Sequence, residues 1–297
     1  MKRVIVFAGL ILLVAACGKE TRETPKGHKY VVVSKGDGVV ANPGEYILMD
    51  IVIKDSNDSV WNDSRNQDVP LILSIQGEEV KETEDGIEEI FRLLSKGDSV
   101  IFTMTAKDFF EKTWRQPMPP TMDSSTEFTF YMKLNEILDQ AGLQAVEEGM
   151  VAKQLQKDIE IIDAHLEEIG IEAQSTPSGL RYFITEEGSG PNAAIGQEVQ
   201  IHYAGYLLDG TLFDSSMESV ARENGSYTEG RPYTPLTLNA GEGQVIAGWE
   251  EAMLLMNKGS KMKVWIPSTL AYGPRSRSAL IKENSILMFD MEMVDVK

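Results

Sequence analysis

The sequence predicts an α+β fold built twice, with a long helix between the two copies. Three observations carry this. Short apolar runs at strand spacing, each set interrupted by one helix, fill residues 29–138 and again 180–296. Between them the strand signals stop and apolar residues recur at alternating steps of three and four. The halves also align without gaps over 44–64 against 196–216 and over 86–110 against 248–272, while Phe130 falls against Phe289. The offsets are 152, 162 and 159, so the length differences fall between matching pieces, where loops belong.

In the first half, strands are expected at 30–33 (YVVV), 46–53 (YILMDIVI), 71–75 (LILSI), 99–106 (SVIFTMTA) and 127–137 (EFTFYMKLNEI). The amphipathic stretch Ile87–Leu94 breaks this series as a helix. From 139 to 170, Ala152, Leu155, Ile159, Ile162, Leu166 and Ile169 form one stripe on a helix of about 48 Å at 1.5 Å per residue. The stripe suits packing or connection; three heptads sit at the lower limit for a coiled coil, which leaves dimerisation through the 139–170 helix open. After the STPSG break at 175–179, strands are expected at 180–187, 198–207, 236–238, 261–267 and 285–296, with a helix over Trp249–Asn257.

Composition narrows the chemistry. The chain has 297 residues, 42% apolar and 25% charged, which is ordinary globular usage with room for two domains. With 28 Lys plus Arg against 46 Asp plus Glu, the formal charge is -18, and such a surface repels nucleic-acid phosphates. His28, His165 and His202 have no Cys or His partner at ligand spacing, so no metal site is expected, and no cofactor is implied.

The single cysteine, Cys17, follows a basic head (Lys2, Arg3), an uncharged apolar run and the small residues Ala15 and Ala16. This resembles the lipobox of bacterial lipoproteins, which implies a signal peptide over 1–16 and lipidation of Cys17. The run is too short for a transmembrane helix. Residues 17–27 are expected to be a mobile polar tether. Gly18, in place of Asp, resembles an outer-membrane-directed lipoprotein if the cell has two membranes.

The second half carries six landmarks in order: VQIHYAG at 199–205, DGTLFDSS at 209–216, GQVIAGWEE at 243–251, MNKG at 256–259, IPSTLAYG at 266–273 and LMFDME at 287–292. Together they closely resemble the FKBP-type peptidyl-prolyl cis-trans isomerases. The resemblance implies, for each half, a twisted antiparallel sheet wrapped on a short helix. It also implies an apolar cavity. Carried over position by position, the catalytic wall would be Tyr203, Phe213, Asp214, Trp249, Tyr272 and Phe289, with Val245, Ile246, Leu236 and Ile281 contacting substrate. Tyr203 and Asp214 would bond to each other, Trp249 would form the floor, and the Tyr272 hydroxyl would reach the peptide carbonyl.

Departures from the pattern are Leu236 where an aromatic is common, Arg277 where histidine is common, Lys282 in place of a proline, and a longer stretch from Met217 to Tyr233. These bear on substrate preference and on macrolide affinity. In the first half the gapless match pairs Tyr203 with Ile51, Phe213 with Trp61, Asp214 with Asn62, Trp249 with Ile87 and Tyr272 with Phe110. The hydroxyls and the carboxylate are lost there.

The expected organisation is therefore a signal peptide (1–16), a lipidated tether (17–27), a degenerate FKBP-like domain (28–138), a connecting helix (139–174) and an isomerase domain (175–297). The expected function is a membrane-anchored prolyl isomerase of the cell envelope acting on proline-containing unfolded or exported polypeptides. The alternative is a non-catalytic holdase binding clients through both clefts.

Overall fold

The computed structural model describes residues 20–67, 69–77 and 86–297. The signal segment and Cys17 lie outside the described residues. Two compact units divide the chain, Met1–Val146 and Glu147–Lys297.

In the first unit, β1 (Glu20–Glu23), β2 (Lys29–Ser34), β3 (Tyr46–Asp55), β4 (Val60–Asp63), β5 (Leu71–Ser74), β6 (Ser99–Thr105) and β7 (Glu127–Leu138) form one antiparallel sheet. Its order is β1-β2-β6-β7-β3-β4, with β5 also on β3. Period-2 alternation along β7 puts Phe128, Phe130, Met132 and Leu134 on the buried face. Helix α1 (Gly86–Leu93) presses Ile87 and Ile90 into the same core. A single turn, α2 (Ala106–Asp108), leads into a π-helical turn over Phe109–Trp114.

Residues 20–23 correct the expectation of a loose tether. β1 runs antiparallel to β2, with Glu20 opposite Val32 and Glu23 opposite Lys29. Glu20 pairs with Arg22 at 2.9 Å and with Lys35 at 2.6 Å. Just beyond, the buried Thr24 hydroxyl donates to Glu89 of α1 at 2.6 Å, and the same carboxylate lies 2.8 Å from His28 Nδ1. A polar run reads as linker in sequence because its partners, Val32 and Glu89, are distant along the chain.

Helix α3 (Gln140–Ile169) follows. Asp139 caps it by accepting the Gly142 N–H at 2.7 Å, and Gly170 at φ 68 ends it. Of the expected stripe, Ile162 and Leu166 are buried against Trp265 and Ile286. Leu155 and Ile159 lie against Gly179, where a Cβ would come within 3.0 Å of both. Ala152 and Ile169 face solvent, and the stripe instead includes a carboxylate, Asp158, that is 1% exposed.

The second unit holds β8 (Gln174–Ser175), β9 (Arg181–Glu186), β10 (Ser189–Asn192), β11 (Glu198–Leu207), β12 (Leu212–Ser215), β13 (Leu236–Asn239), β14 (Asn257–Lys258), β15 (Lys261–Ile266) and β16 (Leu287–Val296). The main sheet runs β12-β11-β16-β15-β9-β8 with β13 on β11, and β10 pairs with β14. Matching strand for strand, this is the order of the first sheet. Helix α4 (Glu218–Glu223) sits in the long 217–233 stretch, and α5 (Ala247–Leu254) buries Trp249, Ala252 and Met253 in the core. The helix expected to reach Asn257 stops at Leu254, because Asn257 and Lys258 pair with β10 instead.

The repeat extends to single hydrogen bonds. Ser216 Oγ accepts the Tyr203 N–H at 2.7 Å, and Ser64 Oγ accepts the Ile51 N–H at 2.8 Å. Glu251 takes the Ser178 hydroxyl at 2.6 Å, as Glu89 takes Thr24. In each unit, therefore, the core helix clasps the segment that enters its sheet.

Candidate active site

A cavity of about 410 Å³ in the second unit is lined by Tyr203, Phe213, Asp214, Leu236, Gln244, Val245, Ile246, Trp249, Tyr272 and Phe289. Of the residues singled out in the sequence, all but Ile281 meet here. Ile281 is 5% exposed and packs in the same apolar cluster as Trp249 and Phe289. Its carbonyl accepts the Arg277 N–H at 2.9 Å and the Ser278 N–H at 3.2 Å, closing the 277–281 loop. Gln244 was not foreseen as a lining residue.

Four rings form the apolar interior, each meeting the next edge to face. Tyr203 lies 5.1 Å from Trp249, Trp249 5.2 Å from Phe289, and Phe289 5.5 Å from Phe213. The edge-to-face arrangement sets ring hydrogens against ring faces and favours a fixed geometry. Gly205 makes it possible: it stands opposite Phe289 in the β11–β16 pairing, and a Cβ there would come 2.6 Å from Phe213 and 2.7 Å from Phe289.

One wall is polar. The Tyr203 hydroxyl donates to Asp214 Oδ2 at 2.7 Å, and Arg231 Nη1 reaches Asp214 Oδ1 at 2.7 Å. Burial, and then the Asp214 carboxylate, push the Tyr203 hydroxyl well above its ordinary value, so it stays a donor. Burial pushes Asp214 upward, but hydrogen bonds from Arg231 and Tyr203 outweigh it and hold the carboxyl below its ordinary value. Arg231 itself is braced by aromatic neighbours. Its guanidinium lies 5.4 Å from the Tyr233 ring, which stacks on Tyr227 at 5.7 Å. Arg222 caps that stack at 3.5 Å. Sequence reading missed Arg231; the signal was an arginine inside the long 217–233 stretch of an acidic chain, close before Leu236.

Local hydrogen bonds place the remaining lining. Glu250 of α5 accepts the Gly241 N–H at 2.8 Å and the Val245 N–H at 3.0 Å, tying the loop that carries Val245 and Ile246 to the helix. Tyr272 follows a short turn, Ser268–Leu270, whose Ser268 carbonyl accepts from Ala271 at 3.0 Å and Gly273 at 2.9 Å. Among the described residues the Tyr272 hydroxyl makes no hydrogen bond; its ring packs against the apolar cluster of this unit, and the Arg277 guanidinium stands 5.8 Å from the ring centroid.

In the first unit the matching volume is filled. Ile87 stands where Trp249 does, and Phe109, whose counterpart is the small Ala271, adds a ring that packs 5.1 Å from Phe128 and 5.4 Å from Phe130. Phe109, Phe110 and Phe130 are each at most 3% exposed. Trp61 and Trp114 close over this cluster and remain 40% and 52% exposed.

Comparison with known proteins places this geometry. A sequence model described as FKBP-type peptidyl-prolyl cis-trans isomerase matches residues 190–294. An FK506-binding protein of Neisseria meningitidis (serogroup A) is 38% identical over 111 residues, 37% of this chain and 90% of that protein. The chain belongs to the FKBP-type peptidyl-prolyl cis-trans isomerase family. The enzyme class is accordingly peptidyl-prolyl isomerase. The FKBP-type 22 kDa peptidyl-prolyl cis-trans isomerase of Escherichia coli K12 is 41% identical over 122 residues, 41% of this chain and 52% of its own length. The outer membrane protein MIP of Legionella longbeachae is 39% identical over 121 residues, again 41% of this chain, and 46% of its own length. The chain thus spans about half the length of these two relatives. Among the described residues no helix is long and apolar enough to cross a membrane, and no cluster of three or more His, Cys, Asp or Glu could hold a metal ion.

Proposed function

We propose that residues 175–297 form an isomerase domain that accelerates X-Pro exchange in exported, incompletely folded polypeptides, by binding the twisted amide in the Tyr203–Trp249–Phe289–Phe213 cavity. The observation that carries this is one apolar cavity with a single polar wall and a free Tyr272 hydroxyl at its side. Rotation about the amide breaks resonance and faces a barrier of about 18–20 kcal/mol. No covalent bond is made or cut, so binding alone can do the work. The planar amide is the more dipolar form and depends more on water; the half-rotated form loses less on entering a dry cavity. A thousandfold acceleration requires about 4 kcal/mol of such preference. Trp249 and Phe289 present faces for the proline ring, while Tyr272 is placed to donate to a substrate carbonyl. Leu236, Val245 and Ile246 supply the apolar rim.

The test is exchange of an X-Pro peptide followed by NMR, comparing wild type with the Trp249→Ala plus Tyr272→Ala variant. Accelerated exchange with wild type alone is expected, and equal rates would sink the reading.

Residues 28–138 are, on this reading, a degenerate copy without isomerase activity. A second reading, a chaperone that binds clients without catalysis, has its observation in the exposed Trp61 and Trp114 above the filled cluster. It predicts that aggregation of a proline-free client is suppressed by wild type and by the cavity variant alike, and is lost on replacing both tryptophans.

The envelope location rests on the lipobox resemblance at Cys17 and on the printed name of the Legionella relative. Palmitate should label wild type and not Cys17→Ser. We leave dimerisation through the 139–170 helix out of this reading, since Ile162 and Leu166 already pack within their own unit.

A further inference from the structure

Asp158 is the one carboxylate on α3 that is buried, at 1% exposure. Its Oδ2 accepts both the N–H of Ser268 at 2.7 Å and the Ser268 hydroxyl at 2.5 Å, and its Oδ1 accepts from Gln154 Nε2 at 2.7 Å. Among the described residues no lysine or arginine lies within ion-pair distance of it. A charge taken out of water this far is costly unless donors surround it, and here three do. Docking the helix does not require this arrangement. Ile162 and Leu166 already bury themselves against Trp265 and Ile286, and Arg181 holds Asp163 through two bonds at 2.8 and 3.0 Å. Apolar contact supplies attraction with little direction, whereas a carboxylate clasping one N–H and one hydroxyl fixes where its partner sits.

That partner leads to the cavity. Ser268, fully buried, begins the turn after β15, and its carbonyl receives the N–H groups of Ala271 and Gly273, the residues on either side of Tyr272. Gly273 in turn accepts the Asn284 N–H at 2.8 Å, so the turn is held at both ends. The degenerate first unit has Ala106 at the position matching Ser268, with no hydroxyl to offer, and Phe110 where Tyr272 stands. The clasped serine and the catalytic-side hydroxyl are present in one unit and missing from the other together.

We propose that Asp158 is a positioning residue for the isomerase: from the long helix it holds Ser268, and through the Ser268 turn it sets where the Tyr272 hydroxyl stands in the cavity. This rests on the isomerase reading above. It makes the second half of α3 part of the working enzyme, where the sequence suggested packing or connection.

The experiment uses the full chain carrying fluorotyrosine, with Asp158→Asn alone and combined with Tyr272→Phe. Misplacing a contributing group costs at most what removing it costs, so Asp158→Asn should lower kcat/KM by up to about the tenfold expected of Tyr272→Phe, chiefly in kcat. In the Tyr272→Phe background the same change should cost less than about twofold, the non-additivity expected of groups acting through one another. The fluorine resonance of Tyr272, assigned by its loss in Tyr272→Phe, should shift in Asp158→Asn. An equal loss in both backgrounds, or an unmoved Tyr272 resonance, overturns the proposal. If Asp158→Asn fails to unfold cooperatively, Ser268→Ala removes the hydroxyl alone and gives the same comparison. If wild type itself does not accelerate exchange, the isomerase reading falls, and the fluorine shift by itself decides whether Asp158 holds Tyr272.

Discussion

Arg231 reaches Asp214 Oδ1 at 2.7 Å, the oxygen that also accepts the Ser215 N–H at 2.9 Å, while the Tyr203 hydroxyl donates to Oδ2 at 2.7 Å. One carboxylate thus joins the long 217–233 stretch to the central strand β11. Its charge is held by three partners, Arg231, the Tyr203 hydroxyl and the Ser215 N–H, and its effect should follow pH accordingly.

Asp214 in the folded chain titrates below its ordinary value: burial opposes this, but the hydrogen bonds from Arg231 and Tyr203 prevail. A group with a depressed folded value stabilises the fold above its unfolded pKa, about 3.9 for Asp, and loses that contribution as pH falls through the folded value. The stability difference between wild type and Asp214→Asn should therefore stay level from about pH 8 to pH 5 and disappear only below about pH 4. Urea unfolding at a series of pH values checks this. A difference that already fades between pH 7 and 6 would contradict it.

Tyr272 and Trp249 should separate activity from stability. The Tyr272 hydroxyl has no partner among the described residues, so Tyr272→Phe should change unfolding free energy by no more than about 0.5 kcal/mol while slowing X-Pro exchange about tenfold. Trp249 is 4% exposed and meets two rings, so Trp249→Ala should cost about 3–5 kcal/mol as well as activity. Equal destabilisation by the two changes would count against the open placement of Tyr272.

Gly205→Ala tests the ring geometry from behind. The added methyl meets Phe213 and Phe289 at 2.6 and 2.7 Å, so it should cost about 1–3 kcal/mol and reduce isomerase activity by tilting both rings. Gly149, in α3 with open space around its Cα, is the control: Gly149→Ala should stabilise by about 0.5–1 kcal/mol and leave exchange rates alone. Thermal melts and NMR exchange on the two variants measure both effects.

Glu89 should matter only to the first unit. Replacing it with Ala leaves the buried Thr24 hydroxyl without its acceptor and frees His28, at a cost of about 2–3 kcal/mol. Amide exchange in β1 and β2 should quicken while catalysis by the second unit stays unchanged. Protection of β1 equal to that of wild type would refute the clasp.

Most strands were legible because period-2 alternation is local: Phe128, Phe130, Met132 and Leu134 announce the buried face of β7 without reference to anything else. The cavity lining was legible for a different reason, since Tyr203, Phe213, Asp214, Trp249, Tyr272 and Phe289 sit in ordered motifs. β1 was not legible, because Glu20–Glu23 is polar and gains its structure from an edge strand and two cations.

By itself, then, the sequence determined the repeat, the strand and helix order of both units, and the aromatic set of the second. These are properties of neighbours along the chain, and periodicity or motif order expresses them directly. Tertiary structure alone decided that Arg231 closes on Asp214, that Asp158 clasps Ser268, and that Phe109 fills the first unit where Ala271 leaves room in the second. Each of these depends on burial or on a partner brought close by folding. A carboxylate in water is one more charge on an acidic chain, and only the withdrawal of solvent makes its choice of partner consequential.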